Sequence, residues 1–178
     1  MEKCISSLEV VKDYFTFRLN ESSNLAKKDY FKSSSLEGQK DVLNTIRMLC
    51  YEAETKNREN YDYYIGYTME KLENLAKNDY CMLIQKLQDI ANLLFNDNID
   101  WGRIISLLSF VSYFSYKYAW LNKDLGRASA CACKLIEWLT SYLTCKCGMW
   151  IECNGGWESF GNYMENYRTY NVKKVPCC

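Results

Sequence analysis

Arg103 is the residue of this sequence best placed to do specific chemistry. It follows Asp100, Trp101 and Gly102 and opens a segment, Trp101–Leu121, in which Arg103 and Lys117 are the only charges. A guanidinium at the lip of an apolar surface can receive a carboxylate through two parallel N–H bonds. Further along, Trp150 and Trp157 flank Asn154-Gly155-Gly156, a turn sequence. The ten cysteines include two C-x-C pairs, Cys131/Cys133 and Cys145/Cys147. Thiolates invite zinc, but the usual two-residue spacer is missing, and positions i and i+2 of a helix point to different faces. Structural thiols are favoured over a metal or redox module, and a thiol count with native mass spectrometry separates the two. No metal ligand set and no cofactor is assigned. The chain has no histidine, which excludes histidine-based acid–base or triad chemistry. Asn154-Gly155-Gly156 lacks the Lys-Ser/Thr that follows a phosphate-binding loop. The residues point to a binding module with a greasy centre rather than to an enzyme.

Such residues need a scaffold. Lys and Arg number 22 and Asp and Glu 22 in 178 residues, a balance without the basic face that general nucleic-acid binding requires. A hydrophobic content of 48% excludes general disorder. One proline and eight glycines leave few breakers, which favours long helices. The length suits one domain, placed at residues 1–170, followed by a tail at 171–178. Fifteen tyrosines suit a surface that buries rings and keeps hydroxyls wet. Met1-Glu2-Lys3-Cys4 leads into a charged helix without a secretory signal, so reduced thiols and a cytoplasmic location are expected.

The apolar periodicity sets out the elements. Ser6 or Ser7 caps a helix from about Leu8 to Leu19, with Leu8, Val11, Phe15 and Leu19 on its stripe and Val10, Tyr14 and Phe17 widening it. Residues 20–36 read as a polar connection. A second helix is expected from about Leu36 to Asn60, lined by Val42, Ile46, Leu49 and Ala53, and residues 61–75 as a short Tyr-rich helix or pair of turns. Asn78 or Asp79 caps a helix over 80–96, whose apolar face holds Leu83, Leu87, Ile90, Leu93 and Leu94. After the turn Asn96-Asp97-Asn98, Trp101–Leu121 is apolar enough to raise a membrane span. Its interspersed serines, Arg103 and Lys117 favour a central helix wrapped by others. Asn122 to Gly126 breaks it, a helix follows over 127–144, and short helices follow at 149–153 and 157–166. No alternating strand pattern appears, so the class is all-α.

Two motifs resemble those of the Bcl-2 family of apoptosis regulators. Leu94 to Ile105, centred on Asp100-Trp101-Gly102-Arg103, looks like the BH1 motif. Trp150 to Phe160, with its Asn-Gly-Gly-Trp turn intact, looks like BH2. Leu8 to Phe15 is similar to the BH4 helix of the survival members. The resemblance runs from about residue 5 to 166. It implies a Bcl-2-like bundle: a central hydrophobic hairpin, 101–121 and 127–144, wrapped by amphipathic helices, with a BH3-binding surface groove. The chain's own BH3-like segment would be Leu49-Cys50-Tyr51-Glu52-Ala53-Glu54. It departs at Ala53, where Gly is usual, at Glu54, where Asp is usual, and at Lys56, where an apolar residue is expected. It looks like a poor ligand, which favours anti-apoptotic activity. Asp100 also departs, replacing the usual Asn; its carboxylate can pair with Arg103 and weaken the grip on a ligand acid.

An amphipathic helix docks in an apolar groove through anchors at helical spacing, and the Bcl-2 groove is itself a known instance of that mode. The resemblance implies a floor of Leu87, Ile90, Leu94 and Phe110, a wall of Tyr64 and Tyr67, Arg103 as receptor of the ligand's acid, and Gly102 as clearance for its backbone. On that reading, truncating Arg103 costs about 2–5 kcal/mol of binding. The plain alternative is that Arg103 caps, or pairs with Asp97 or Asp100, and that the Leu/Ile row is ordinary core. The implied partners are BH3 motifs of Bax, Bak and Bim-like proteins, and the implied location is the cytoplasm at the mitochondrial outer membrane. A pore-forming killer of the Bax or Bak type is the alternative within the fold, and liposome release separates the two. The sequence finishes at Val172 to Cys178 without an apolar tail. Either an anchor lies beyond it, or there is none, or Cys177 and Cys178 carry lipid beside Lys173-Lys174. Large DNA viruses encode diverged members and animals encode cellular ones, and the Cys, Asn and Tyr load suits a diverged member of either origin.

Overall fold

The computed structural model describes residues 4–20, 40–73, 80–121, 124–160 and 163. These form α1 (Ser7–Asn20), α2 (Lys40–Glu73), α3 (Cys81–Leu94), α4 (Trp101–Leu121), α5 (Leu125–Tyr142) and α6 (Gly148–Cys153). A π-helical turn, Leu143–Cys147, joins α5 to α6, and a short 3-10 turn covers Trp157–Ser159. There is no strand among the described residues, and the fold is the expected helical bundle.

The start of α1 is written in Ser6-Ser7-Leu8-Glu9. Ser6 Oγ accepts from the Glu9 N–H (3.2 Å) while the Glu9 carboxylate accepts from the Ser6 N–H (2.9 Å), a reciprocal capping box. The buried side of α1 is Val10, Val11, Tyr14, Phe15 and Leu19; Leu8, expected on that stripe, is 40% exposed. It sits in the first turn, between the buried Ile5 and Val10 but turned outward.

Helix α2 corrects the expected break near residue 60: it runs unbroken for 34 residues. No proline interrupts it, and a single glycine, Gly66, costs only about 1 kcal/mol relative to alanine. The polar connection, the expected start at Leu36, the caps Asn78 and Asp79, and the tail 171–178 lie outside the described residues. So does half of the expected 157–166 helix, of which Trp157–Ser159 form a 3-10 turn.

Helix α4 occupies the centre and packs against α1, α2, α3 and α5. Ile104, Leu108 and Val111 are fully buried, as are Ser109 and Ser112, whose small side chains suit close helix approach. Among the described residues no helix is long and apolar enough to cross a membrane.

Charged groups also cross the bundle. Arg18 on α1 and Glu54 on α2 are 2% and 0% exposed and pair through two bonds, Nε–Oε2 and Nη2–Oε1, both 2.7 Å. The Arg18 guanidinium lies 4.5 Å from the Tyr116 ring centroid and 5.4 Å from that of Tyr51. In a second pair, Arg47 Nε of α2 donates to Asp13 Oδ2 of α1 at 2.7 Å.

The Asn154-Gly155-Gly156 turn stops α6 with a Schellman motif. The Gly156 N–H donates to the Ile151 carbonyl (2.9 Å) and the Gly155 N–H to that of Glu152 (3.1 Å). Both glycines hold positive φ, 90° and 71°, where a side chain would be strained. The turn sends the chain back to the head of α1, where Trp157 Nε1 donates to Ser7 Oγ (3.2 Å) and Glu158 accepts from the Ile5 N–H (2.6 Å).

Candidate functional site

Between α2, α3 and α4 the bundle leaves an apolar cleft of about 500 Å3. Helix α2 contributes Asn60, Tyr61 and Tyr64, α3 contributes Ile90, Leu93 and Leu94, and α4 contributes Ser106, Leu107 and Phe110. On α3 the 3.6-residue period sends Leu83, Leu87 and Ala91 inward and leaves Ile90, Leu93 and Leu94 at the edge. Leu93 is 78% and Tyr64 55% exposed, so this apolar surface faces solvent. Across Ser106 a second cleft of about 210 Å3 continues along α4 toward its first turn. Leu49, Glu52, Ala53, Lys56 and Asn57 of α2 border it, with Gly102 and Ile105 of α4, and Phe160 and Tyr163 close its end. The two clefts form one trough with α4 as its floor.

Of the residues singled out from the sequence, Ile90, Leu94, Phe110 and Tyr64 line the main cleft and Gly102 the second. Leu87 does not: it is among the lining residues of neither cleft and belongs to the core cluster. Tyr67 is not among the lining residues either, because α2 carries it one turn beyond Tyr64. Tyr61, Leu93, Ser106 and Leu107 join the lining without having been assigned to it from the sequence. Leu93 carries the clearest available signal, a leucine just off the core-facing stripe of an amphipathic helix.

Arg103 lies at the α3–α4 corner, 29% exposed. Its Nη1 donates to the carbonyls of Leu94 (2.8 Å) and Asn98 (3.2 Å), capping the C-terminal end of α3. Its Nε lies 3.3 Å from Asp100 Oδ2, and its Nη2 lies 3.9 Å from Asp97 Oδ2. Asp100 also serves as the N-cap of α4, where its Oδ1 accepts from the Arg103 N–H at 2.8 Å. A side chain at position 102 would place its Cβ 3.2 Å from that Oδ1, so Gly102 makes room for the cap. The start of α5 repeats the arrangement. In Asp124-Leu125-Gly126-Arg127, Asp124 Oδ1 accepts from the N–H of Gly126 (2.9 Å) and Arg127 (3.1 Å). There Arg127 Nε lies 3.7 Å from Asp124 Oδ2.

Trp101 and Trp157 pack rather than face the cleft. Trp101 meets Trp150, Trp157 and Phe160 at centroid distances of 5.2, 5.4 and 5.1 Å. This cluster joins the start of α4 to the turn after α6. The cysteines are dispersed: among the described residues no group of three or more His, Cys, Asp or Glu could hold a metal ion. Burial pushes the thiol of Cys131 up to about 12 and that of Cys147 up to about 11, and raises that of Cys50 well above its ordinary value. Such thiols stay protonated and unreactive.

Comparison with known proteins places this arrangement. A model of the apoptosis regulator proteins of the Bcl-2 family matches residues 46–157. Bcl-2-like protein 1 of Gallus gallus is 30% identical over 90 residues, 51% of this chain and 37% of that protein. Apoptosis regulator R11 of Xenopus laevis is 32% identical over 83 residues, 46% of this chain and 38% of that protein. The matches thus span little more than a third of these relatives' length. Among solved structures, Trichoplax adhaerens trBcl-2L2 bound to trBak BH3 superposes with a TM-score of 0.68 at 21% identity, covering 89% of this chain and 96% of that one. Chicken BOK superposes with a TM-score of 0.65 at 16% identity, covering 88% and 92%. These two share the fold, and the family match extends from α2 through the Asn-Gly-Gly turn to Trp157: the chain belongs to the Bcl-2 family of apoptosis regulators.

Proposed function

We propose that the chain is an anti-apoptotic regulator that binds BH3 helices of pro-apoptotic relatives of the Bax, Bak and Bim kind and sequesters them. The observation that carries this reading is the solvent-facing apolar trough between α2, α3 and α4. A helix laid along it would set apolar anchors on Ile90, Leu94 and Phe110, with Tyr64 and Leu93 folding over its edge. Gly102 lines the far end, and Arg103, which lines neither cleft, follows it at the α3–α4 corner. The role is that of a binding protein rather than an enzyme, exerted in the cytoplasm at the mitochondrial outer membrane where such partners act.

The chain's own BH3-like segment supports sequestering over killing. Its Glu54 is 0% exposed and held through both oxygens by Arg18. A segment whose acid is locked into the bundle is poorly disposed to serve as a ligand for another groove. Release of liposome contents by this protein after addition of an activating BH3 peptide would favour the pore-forming alternative.

Calorimetric titration with a panel of BH3 peptides tests the reading, and absence of binding at concentrations on the order of tens of micromolar overturns it. Leu93→Glu sharpens the test by putting a charge on the apolar wall. A contact of hot-spot quality is worth about 2 kcal/mol, so affinity should fall by about 30-fold. Because Leu93 is largely exposed, folding stability should change by no more than about 0.5 kcal/mol. Unchanged peptide affinity in that variant would move the binding surface elsewhere.

A further inference from the structure

We propose that Asp100 determines ligand preference in this groove. It commits Arg103 to the chain's own helix cap, so that helices with a neutral residue facing Arg103 bind as well as helices with a carboxylate there. The inference rests on the groove-binding reading above and names the partner chemistry that the groove accepts.

Two of the five side-chain N–H groups of Arg103 are hydrogen-bonded within the chain, and two carboxylates stand beside the others. A guanidinium offers five N–H bonds, and a carboxylate is gripped bidentately through Nε with Nη2 or through Nη1 with Nη2. Nη1 already has two acceptors, the carbonyls of Leu94 and Asn98 at 2.8 and 3.2 Å. Nε faces Asp100 at 3.3 Å. One bidentate mode therefore contains a hydrogen-bonded nitrogen and the other a nitrogen in ionic contact with Asp100. Nη2 remains for a single bond, and Asp97 stands 3.9 Å from it. An incoming carboxylate meets one positive charge and two negative ones.

Asp100 cannot readily swing aside. Its other oxygen caps α4 through the Arg103 N–H at 2.8 Å, and leaving would expose an unsatisfied helix end. The second Asp-x-Gly-Arg unit makes the same point from within the chain. Asp124 caps α5 and Arg127 closes on it at 3.7 Å, at the opposite end of α4 from the trough. The unit is a way of starting a helix, and at Asp100 it also stands against the cation that lies between Gly102 and the end of α3, beside the groove.

The test uses the whole protein, a synthetic Bak-type BH3 peptide, and the same peptide with its Arg103-facing aspartate replaced by asparagine. Wild-type protein should bind the two peptides within about threefold of each other. Asp100→Asn keeps a good capping side chain and removes the charge, so this variant should prefer the aspartate peptide by about tenfold or more. Asp124→Asn, which removes an equivalent charge far from the trough, should behave as wild type. A preference of about tenfold already present in wild type overturns the inference and leaves the groove reading standing. So does an Asp100→Asn protein that still treats the peptides alike. Binding of neither peptide by folded wild-type protein overturns both.

Discussion

Glu54→Ala should cost about 3–5 kcal/mol of folding stability, because it removes the carboxylate from a buried ion pair and leaves the charge of Arg18 in the interior. For a chain of this length that is a fall in melting temperature of roughly 10 °C. The pair is 2% and 0% exposed and doubly bonded, so solvent cannot take over from the lost partner. The Tyr116 and Tyr51 rings still face the guanidinium, but a ring face offers much less than a carboxylate. Replacing both members, Arg18→Met with Glu54→Leu, should be less harmful than Glu54→Ala alone, since no charge is then stranded. Denaturant titration of the three proteins decides the matter, and a loss below about 1 kcal/mol in Glu54→Ala would show that the pair is not the α1–α2 fastening described above.

Trp101→Ala should be about as damaging, with a loss of about 3–5 kcal/mol. Trp101 is 5% exposed and touches three aromatic rings drawn from α6 and the segment after its turn. Its removal opens a cavity at the junction that ties the head of α4 to the closing turn. Trp101→Phe retains a ring and should lose less than half as much. Equal losses in the two variants, by thermal or denaturant unfolding, would mean that the cluster is not cohesive.

The architecture is legible in the sequence where local chemistry decides it. Trp101 to Leu121 reads as one helix because its ends carry a turn sequence and a breaker. The cap at Ser6 and the turn at Gly155-Gly156 are likewise local. The unbroken α2 is not readable, since a Tyr-rich, polar stretch has weak periodicity and gains order from packing on α4. At the site, Ile90, Leu94, Tyr64 and Phe110 are legible from spacing and resemblance together. Leu87 is not, because a periodic leucine does not announce whether it faces the core or the rim. The Arg18–Glu54 pair joins residues 36 apart in sequence, and no pattern marks such a partnership before the helices are packed. The pairing of Asp100 with Arg103 follows from their spacing. The two carbonyls that complete the set belong to a neighbouring helix end and to the turn after it, and nothing in the spacing points to them.

The π-helical turn keeps the phase of a helix that would otherwise drift. Twelve residues separate Leu139 from Ile151, both buried. At about 100° per residue, Ile151 would lie about 120° round from Leu139, off the core side. A π turn absorbs one extra residue, which brings the offset back to about 20°. Leu143–Cys147 therefore carries a surplus residue. A chain shortened by one there, at exposed Lys146 for instance, could continue as plain α-helix with Ile151 and Trp150 still seated. The same deletion at Glu137, equally exposed, would turn the stretch from Trp138 to Leu143 by about 100° and take Leu139 and Leu143 off the core side.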